Sequence, residues 1–258
     1  MESVPTLLVV PARAESAEAI EPLLQTLVSL TTTAPGAMVL VVDDASPAPQ
    51  AALIEAAANE LDCAYVVQRD GEGSSAAFNV GLSAASQHGL DVCLVAPGLT
   101  FAAPGWLDLL EARNGTDGRP AAVVGGAVVN PGGMIRHAGF FFSAFRRSWS
   151  ARLRNTPEAL LAVEKPVLCP VGSDLQLIRR EWFDAVGFYD EQLDGPDAAL
   201  DFCLRVSAAG GECILEPTVR GHSLVDLDVE PVNNGPGAHI LASKHGDVDF
   251  RPWAPETL

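Results

Sequence analysis

Apolar and polar positions alternate along the first half of the chain in a regular rhythm. Thr6–Val10 and Met38–Val42 are compact apolar runs, Ala64–Val67 is a shorter one, and Val92–Val95 is a fourth. Helical patterns lie between them: about Ala17 to Leu30, Gln50–Leu61 and Ser74–His88. Pro104–Ala112 opens with proline at a plausible first helical turn, and Ala121–Val129 is a further β run. Strands alternating with helices at this spacing predict βαβ units and a mostly parallel sheet covered on both faces. No internal repeat and no low-complexity segment interrupts the pattern.

The character changes after about Asn130. "NPGGMIRHAGFFFS" reads as a turn and then a β segment, Lys165–Ile178 is β-like, and Arg180–Val186 is a short helix. In "DGPDAALDFCLRVSAAGG", Leu200, Cys203, Leu204, Ser207 and Ala208 recur at helical spacing. Asp197 is placed to cap that helix, and Gly210-Gly211 to end it. Cys213–Leu215 is a last short strand. From 223 onward little periodicity remains, which predicts an irregular tail, 223–258, wrapping the body or meeting a partner through Phe250 and Trp253. The organisation expected is one domain over 1–222, with a nucleotide-binding type of first half to about 129 and a variable half over 130–222.

Length and composition narrow the functional classes. The 258 residues suffice for one sizeable α/β core, and 48% hydrophobic residues fit an ordered globular protein. Sixteen basic against 33 acidic residues give a net charge of −17, a field that repels nucleic acid and anionic membranes. It also repels phosphate-bearing substrates unless local donors or a metal offset it. Cys63, Cys93, Cys169, Cys203 and Cys213 form no C-x-x-C pair and sit in apolar runs, which reads as buried free thiols in a reducing, cytoplasmic setting. No apolar run is long enough to span a membrane. The start "TLLVVPARAESAEA" lacks the basic residues of a signal peptide and reads as a buried first strand.

Ligands of open α/β sheets sit at the carboxyl ends of the strands. That rule selects the loops Pro11–Glu15, Asp43–Pro47, 68–75 and Ala96–Thr100. Asp43, Asp44 and Ser46 can hydrogen-bond a base or ribose; the competing reading is a helix-capping turn. Gly71, Gly73, Ser74 and Ser75 form a turn into a helix N-terminus, either an anion site or an ordinary connection. It is not a Walker A loop, because no lysine follows the glycines, and no G-x-G-x-x-G follows the first strand.

Taken in order, these segments resemble the family 2 glycosyltransferases of the GT-A fold, in their rhamnosyltransferase-like branch. The residues that carry the resemblance are "TLLVVPARAES", "MVLVVDDASP", "GEGSSAAFNVGLSAA", "NPGGMIRHAGFFFS", "VGSDLQLIRREWFDAVGFYDE", "LDFCLRVSAAGG" and "PTVRGHSL", which together span roughly 5–224. The resemblance implies a Rossmann-type α/β domain with a mixed β second half. It implies transfer of a hexose from a nucleotide-diphosphate sugar to a glycan or other hydroxyl acceptor. Pro11, Asp43, Asp44, Ser46 and Gly71 would face the nucleotide, and Gly172 and Asp174 the acceptor side.

Such chemistry requires neutralisation of a leaving diphosphate, usually by Mn or Mg, and a carboxylate that takes the acceptor proton. Both motifs depart from the family here. The metal motif maps onto Ala96-Pro97-Gly98 and the base pair onto Ala198-Ala199, while Ala14 stands where an asparagine is usual. Three residue sets are candidates to compensate: Asp197 as base, Asp174 as a second carboxylate, and the Arg146–Arg154 segment as a phosphate clamp. Each has a plainer reading as a cap, a local hydrogen bond, and a solvated or partner-facing surface that makes a homo-oligomer. His222 is the remaining weak candidate for a metal ligand, and His137 is expected to pack near its turn. Two readings stay open: a transferase, with a metal or independent of one, and an inactive pseudo-transferase that serves as a binding or assembly subunit.

Overall fold

Residues 4–68, 73–143, 145, 148–226 and 237–246 are described by a computed structural model. β1 (Thr6–Ala12), α1 (Ile20–Thr33), β2 (Met38–Asp44), α2 (Ala48–Glu60), β3 (Ala64–Gln68), α3 (Ser74–His88) and β4 (Asp91–Val95) alternate as the apolar pattern requires. The four strands lie parallel in the order β3-β2-β1-β4. All seven residues of β1 are buried. Leu7 and Val9 face one core, and Leu8 and Val10 face the other. Burial on both faces is why this strand reads as a continuous apolar run rather than an alternating one. α3 lies so close over β1 that a Cβ on Gly81 would stand 2.5 Å from both Val9 methyl groups.

β5 (Leu99–Thr100), α4 (Trp106–Glu111), β6 (Val123–Val129), β7 (Ile135–His137), β8 (Phe140–Ser143) and β9 (Ser148–Ala151) follow, then β10 (Val167–Leu168) and β11 (Leu175–Ile178). The chain ends its described part with α5 (Arg180–Val186), α6 (Gly195–Ala208), β12 (Cys213–Ser223) and α7 (Gly237–His245). β11 runs antiparallel between β4 and β6, and β12 lies parallel to β6 on its far side. This insertion makes the second half mixed. It also brings three points to one edge of the sheet: the turn after β4, the approach to β11, and the end of β12. Arg179 fixes that register from the opposite end, donating to Asp91 at 2.8 Å while the Arg180 N–H donates to the other Asp91 oxygen at 2.8 Å.

Three sequence expectations need correction. The β-like run Lys165–Ile178 is two short strands, β10 and β11, separated by the buried crossing at Cys169–Ser173. The last strand extends to Ser223 rather than stopping at Leu215. Its later part carries Arg220 and His222 between buried Val219, Gly221 and Ser223, an alternation interrupted by a bulge between Glu216 and Arg220. The tail expected to be irregular, 223–258, contains the helix α7. Only Gly237, Leu241 and His245 of α7 are buried, and just one of these is a large apolar residue, so the sequence gives almost no hydrophobic period. Phe250 and Trp253 lie outside the described residues.

Candidate active site

The second strand ends in two buried carboxylates with different tasks. Asp43 is fully used: Oδ1 accepts the Ser46 N–H at 3.0 Å and Oδ2 accepts the Tyr65 hydroxyl at 2.6 Å. Ser46 Oγ in turn accepts the Ala14 N–H at 3.0 Å, tying the loop after β1 to the loop after β2. Ala45, between them, holds a left-handed φ of 57°. Asp44 Oδ2 accepts the Gly73 N–H at 3.1 Å and faces Arg13 Nη1 at 3.4 Å. Its Oδ1 is buried and has no hydrogen-bond partner among the described residues. An unpartnered buried carboxylate oxygen is costly unless a donor arrives. Of the predicted pair, Asp44 is therefore the residue with a free acceptor, and Asp43 is the loop's internal brace. Pro11 is buried within β1, paired with Val42, rather than in a loop.

The described part of the Gly/Ser turn has its donors engaged within the protein. Gly71 lies outside the described residues. The Gly73 N–H is taken by Asp44, the Ser74 hydroxyl by Asp194, and the Ser75 hydroxyl by the Leu193 carbonyl at 2.7 Å. Two carboxylates, Asp44 and Asp194, face this helix start.

At the turn after β4, Ala96, Pro97 and Gly98 offer no side-chain donor. The Ala96 N–H donates to the Asp174 carbonyl at 2.8 Å, the Gly98 N–H to Thr26 Oγ1 at 2.8 Å, and the Gly98 carbonyl accepts the Leu224 N–H at 2.8 Å. The turn is thus braced by two backbone contacts and the Thr26 hydroxyl. His222, at the end of β12, has its Nε2 3.2 Å from Glu158 Oε1, and Arg220 Nη1 reaches the same oxygen at 3.1 Å. A guanidinium sharing the Glu158 carboxylate leaves a poor donor set for a divalent ion among the described residues. No group of three His, Cys, Asp or Glu able to hold a metal occurs among the described residues. The donors present do not fit the Mn or Mg that the resemblance implies.

Asp174 stands beside that turn. Its Oδ2 is 2.9 Å from His137 Nε2 and its Oδ1 is 3.6 Å from Arg136 Nη1. Burial opposes its charge, but the His137 hydrogen bond, the His137 charge and the Arg136 charge outweigh it and hold the carboxyl at about 2. Asp174 is therefore an anion locked in an ion cluster, not a proton acceptor. Gly172 is buried against the imidazole, where a Cβ would come within 2.8 Å of His137 Cε1. His137 itself is 1% exposed, and its Nδ1 has no partner.

α6 begins one turn earlier than the sequence suggests. Asp194 occupies the N-cap position, Pro196 lies in the first turn, and Asp197 sits inside the helix rather than capping it. Ala198 and Ala199 are buried core methyls, 1% and 0% exposed. Asp197 has one buried oxygen, Oδ1, without a hydrogen-bond partner among the described residues. Burial alone raises its carboxyl to about 6. It is the described carboxyl at this edge whose proton affinity suits exchange near neutral pH.

Of the Arg146–Arg154 segment, Arg146 and Arg147 lie outside the described residues. Arg152 faces Glu164 at 3.8 Å, and Arg154 is also engaged. Sequence reasoning passed over Arg136, Glu158 and Arg220, which pair with Asp174, with Arg220 and His222, and with Glu158. They come from β7, a 3-10 turn over Glu158–Ala162 and β12, and only the strand order brings each to its partner. Tyr65, the brace of Asp43, gave no signal either.

The sequence model of the family described as Glycosyl transferase family 2 matches residues 7–92, about one third of the chain. No curated protein matches in sequence. Among solved structures, GalNAc-T7 with UDP, GalNAc and Mn2+ is similar with a TM-score of 0.66 and 18% identity, covering 94% of this chain and 48% of that one. The mannosyltransferase PcManGT from Pyrobaculum calidifontis, in complex with GDP-Man and Mn2+, is similar with a TM-score of 0.54 and 18% identity. It covers 86% of this chain and 57% of that one. The chain spans about half the length of these two structures. The fold is that of the GT-A glycosyltransferases, and the family 2 match runs from β1 through α3 to the start of β4.

Proposed function

We propose that this glycosyltransferase family 2-like protein binds a nucleotide-diphosphate sugar and transfers its hexose to a hydroxyl acceptor without a carboxylate-held metal. The observation that carries the reading is that two buried carboxylate oxygens, Asp44 Oδ1 and Asp197 Oδ1, have no hydrogen-bond partner among the described residues. The family match over 7–92 supplies the class of donor.

Asp44 Oδ1 accepts an N–H of the base or a ribose hydroxyl, and Arg13, half-exposed beside it, borders the same pocket. In the transfer, the acceptor oxygen forms a bond to the anomeric carbon as that carbon's bond to the diphosphate oxygen breaks. The electron pair leaves with the nucleoside diphosphate, and the acceptor proton passes to Asp197. Arg136, paired with Asp174, and Arg220, paired with Glu158, are the cations that would offset charge on the leaving group. Gly172 and Asp174 shape the acceptor side through the His137 and Arg136 cluster. Five buried free cysteines support a reducing, cytoplasmic setting. No described helix is long and apolar enough to cross a membrane.

The second reading, a nucleotide-binding subunit without turnover, is favoured by one observation: Ala198 and Ala199 are core residues that leave no second carboxylate beside Asp197. Calorimetric titration with UDP-, dTDP- and GDP-sugars, with and without Mn2+, combined with detection of released nucleotide, separates the cases. Binding with metal-independent release supports transfer. Binding without release under any acceptor mixture supports the second reading. Absence of any nucleotide binding would sink both.

A further inference from the structure

Asp201 lies on α6 one turn beyond Asp197 and is 0% exposed. Its Oδ2 accepts Arg205 Nε at 2.8 Å within the same helix. Its Oδ1 faces two groups of α7, His245 Nε2 at 2.9 Å and Lys244 Nζ at 2.7 Å. Lys244 also reaches Asp190, in the turn before α6, at 2.8 Å. The last turn of α7 is thus fixed to α6 by a buried carboxylate with three cationic or hydrogen-bonding partners. At the other end of α7, Gly237 is packed directly on Asp197. A Cβ there would overlap Asp197 Oδ2 and stand 2.9 Å from Leu193 Cδ2. Gly237, Leu241 and His245 recur every four residues, so one face of α7 carries both contacts.

We infer that Asp201 is a positioning residue for Asp197, acting through α7: it clamps Lys244 and His245 and so seats Gly237 against the Asp197 carboxyl group. The inference rests on the assignment of Asp197 as base. A glycine at 237 lets bare backbone lie against the carboxyl, excluding water without adding a charge. Leu193 forms the other wall. This wall is what keeps the Asp197 proton affinity near that of a neutral-pH base, while burial at Asp201 is overcome by its hydrogen bonds and neighbouring cations, which lower its own affinity. The two carboxyls, one turn apart, are pushed in opposite directions because one is paired and the other is not.

The test uses the full chain carrying Lys244→Ala and His245→Ala together. Hydrogen exchange over 237–246 reads the clamp, and a carboxyl-carbon NMR titration, assigned with Asp197→Asn, reads the base. Release of α7 should expose its amides and lower the Asp197 midpoint from about 6 toward 3.8. The conservative Lys244→Arg variant with His245 intact should keep both near the parent values. If nucleotide release can be followed, the acid limb of its pH profile should move down by about two pH units in the double variant. Full protection of 237–246 in the double variant would overturn the clamp. Loss of protection with an unmoved Asp197 midpoint would overturn the seating. Undiminished turnover in Asp197→Asn would instead remove the base assignment on which the inference rests, an outcome read independently of the exchange and NMR data.

Discussion

Replacing Asp197 by asparagine should stabilise the fold at neutral pH and leave it nearly unchanged in mild acid. Burial raises this carboxyl from 3.8 to about 6, and one unit corresponds to about 1.4 kcal/mol. The full penalty of holding the charged form is therefore about 3 kcal/mol; partial exposure and the amide's own unmet donors reduce the expected gain to about 2 kcal/mol. The sign follows from proton binding. Between pH 3.8 and about 6 the folded state keeps a proton that the unfolded chain has released, so stability falls as pH rises through that window. Below 3.8 both states are protonated and the penalty is absent; above about 6 it is complete. Urea denaturation of parent and Asp197→Asn from pH 4 to pH 8 measures this directly. The difference should be near zero at the acid end and grow to its plateau by pH 7. A variant less stable than the parent at pH 7.5, or a gain independent of pH, would refute the claim that Asp197 is desolvated and unpaired.

Other substitutions separate braces from ligand groups. Asp44→Asn should weaken nucleoside diphosphate binding about tenfold in calorimetry with a small change in stability, because only its Oδ1 lacks a partner. Asp43→Asn should do the reverse, costing about 1–3 kcal/mol in urea denaturation through its bonds to Ser46 and Tyr65. Asp174→Asn should lose about 2 kcal/mol at neutral pH in a pH series of denaturation curves. The stabilisation it removes is present above 3.8 and fades as pH falls through about 2, so parent and variant should converge at the acid end. Gly81→Ala should destabilise by about 1–3 kcal/mol, since the added methyl meets both Val9 methyls, and denaturant midpoints check it.

Much of the fold was legible in the sequence because the first half obeys one physical rule. Strands buried on both faces read as apolar runs, and β1, β2 and β4 carry such runs in Leu7–Val10, Val39–Val42 and Val92–Val95. α3 and α5 were placed by sequence to the residue because a glycine ends each of them, Gly89 at the end of α3 and Gly187 at the end of α5. What escaped was built from residues with no local period. β12 continues past its apolar start as an alternating strand with a bulge, and α7 is held by Asp201 rather than by an apolar stripe. The same distinction governs the site. The Asp43-Asp44 pair and the alanine pair were visible as motifs. Which of Asp43 and Asp44 is free depends on Tyr65 and Gly73, more than twenty residues away along the chain. The cluster of Arg136, His137 and Asp174 exists only because β7 and the approach to β11 meet beside β6.

The most direct measurement is a crystal structure of the chain grown with a nucleotide-diphosphate sugar and Mn2+. The base or ribose should rest on Asp44 Oδ1, with the diphosphate beside the Ala96–Gly98 turn and no manganese held by the protein's carboxylates. A manganese ion bound by His222 and Glu158 would contradict the metal-independent reading, and a nucleotide bound away from Asp44 would contradict the account as a whole.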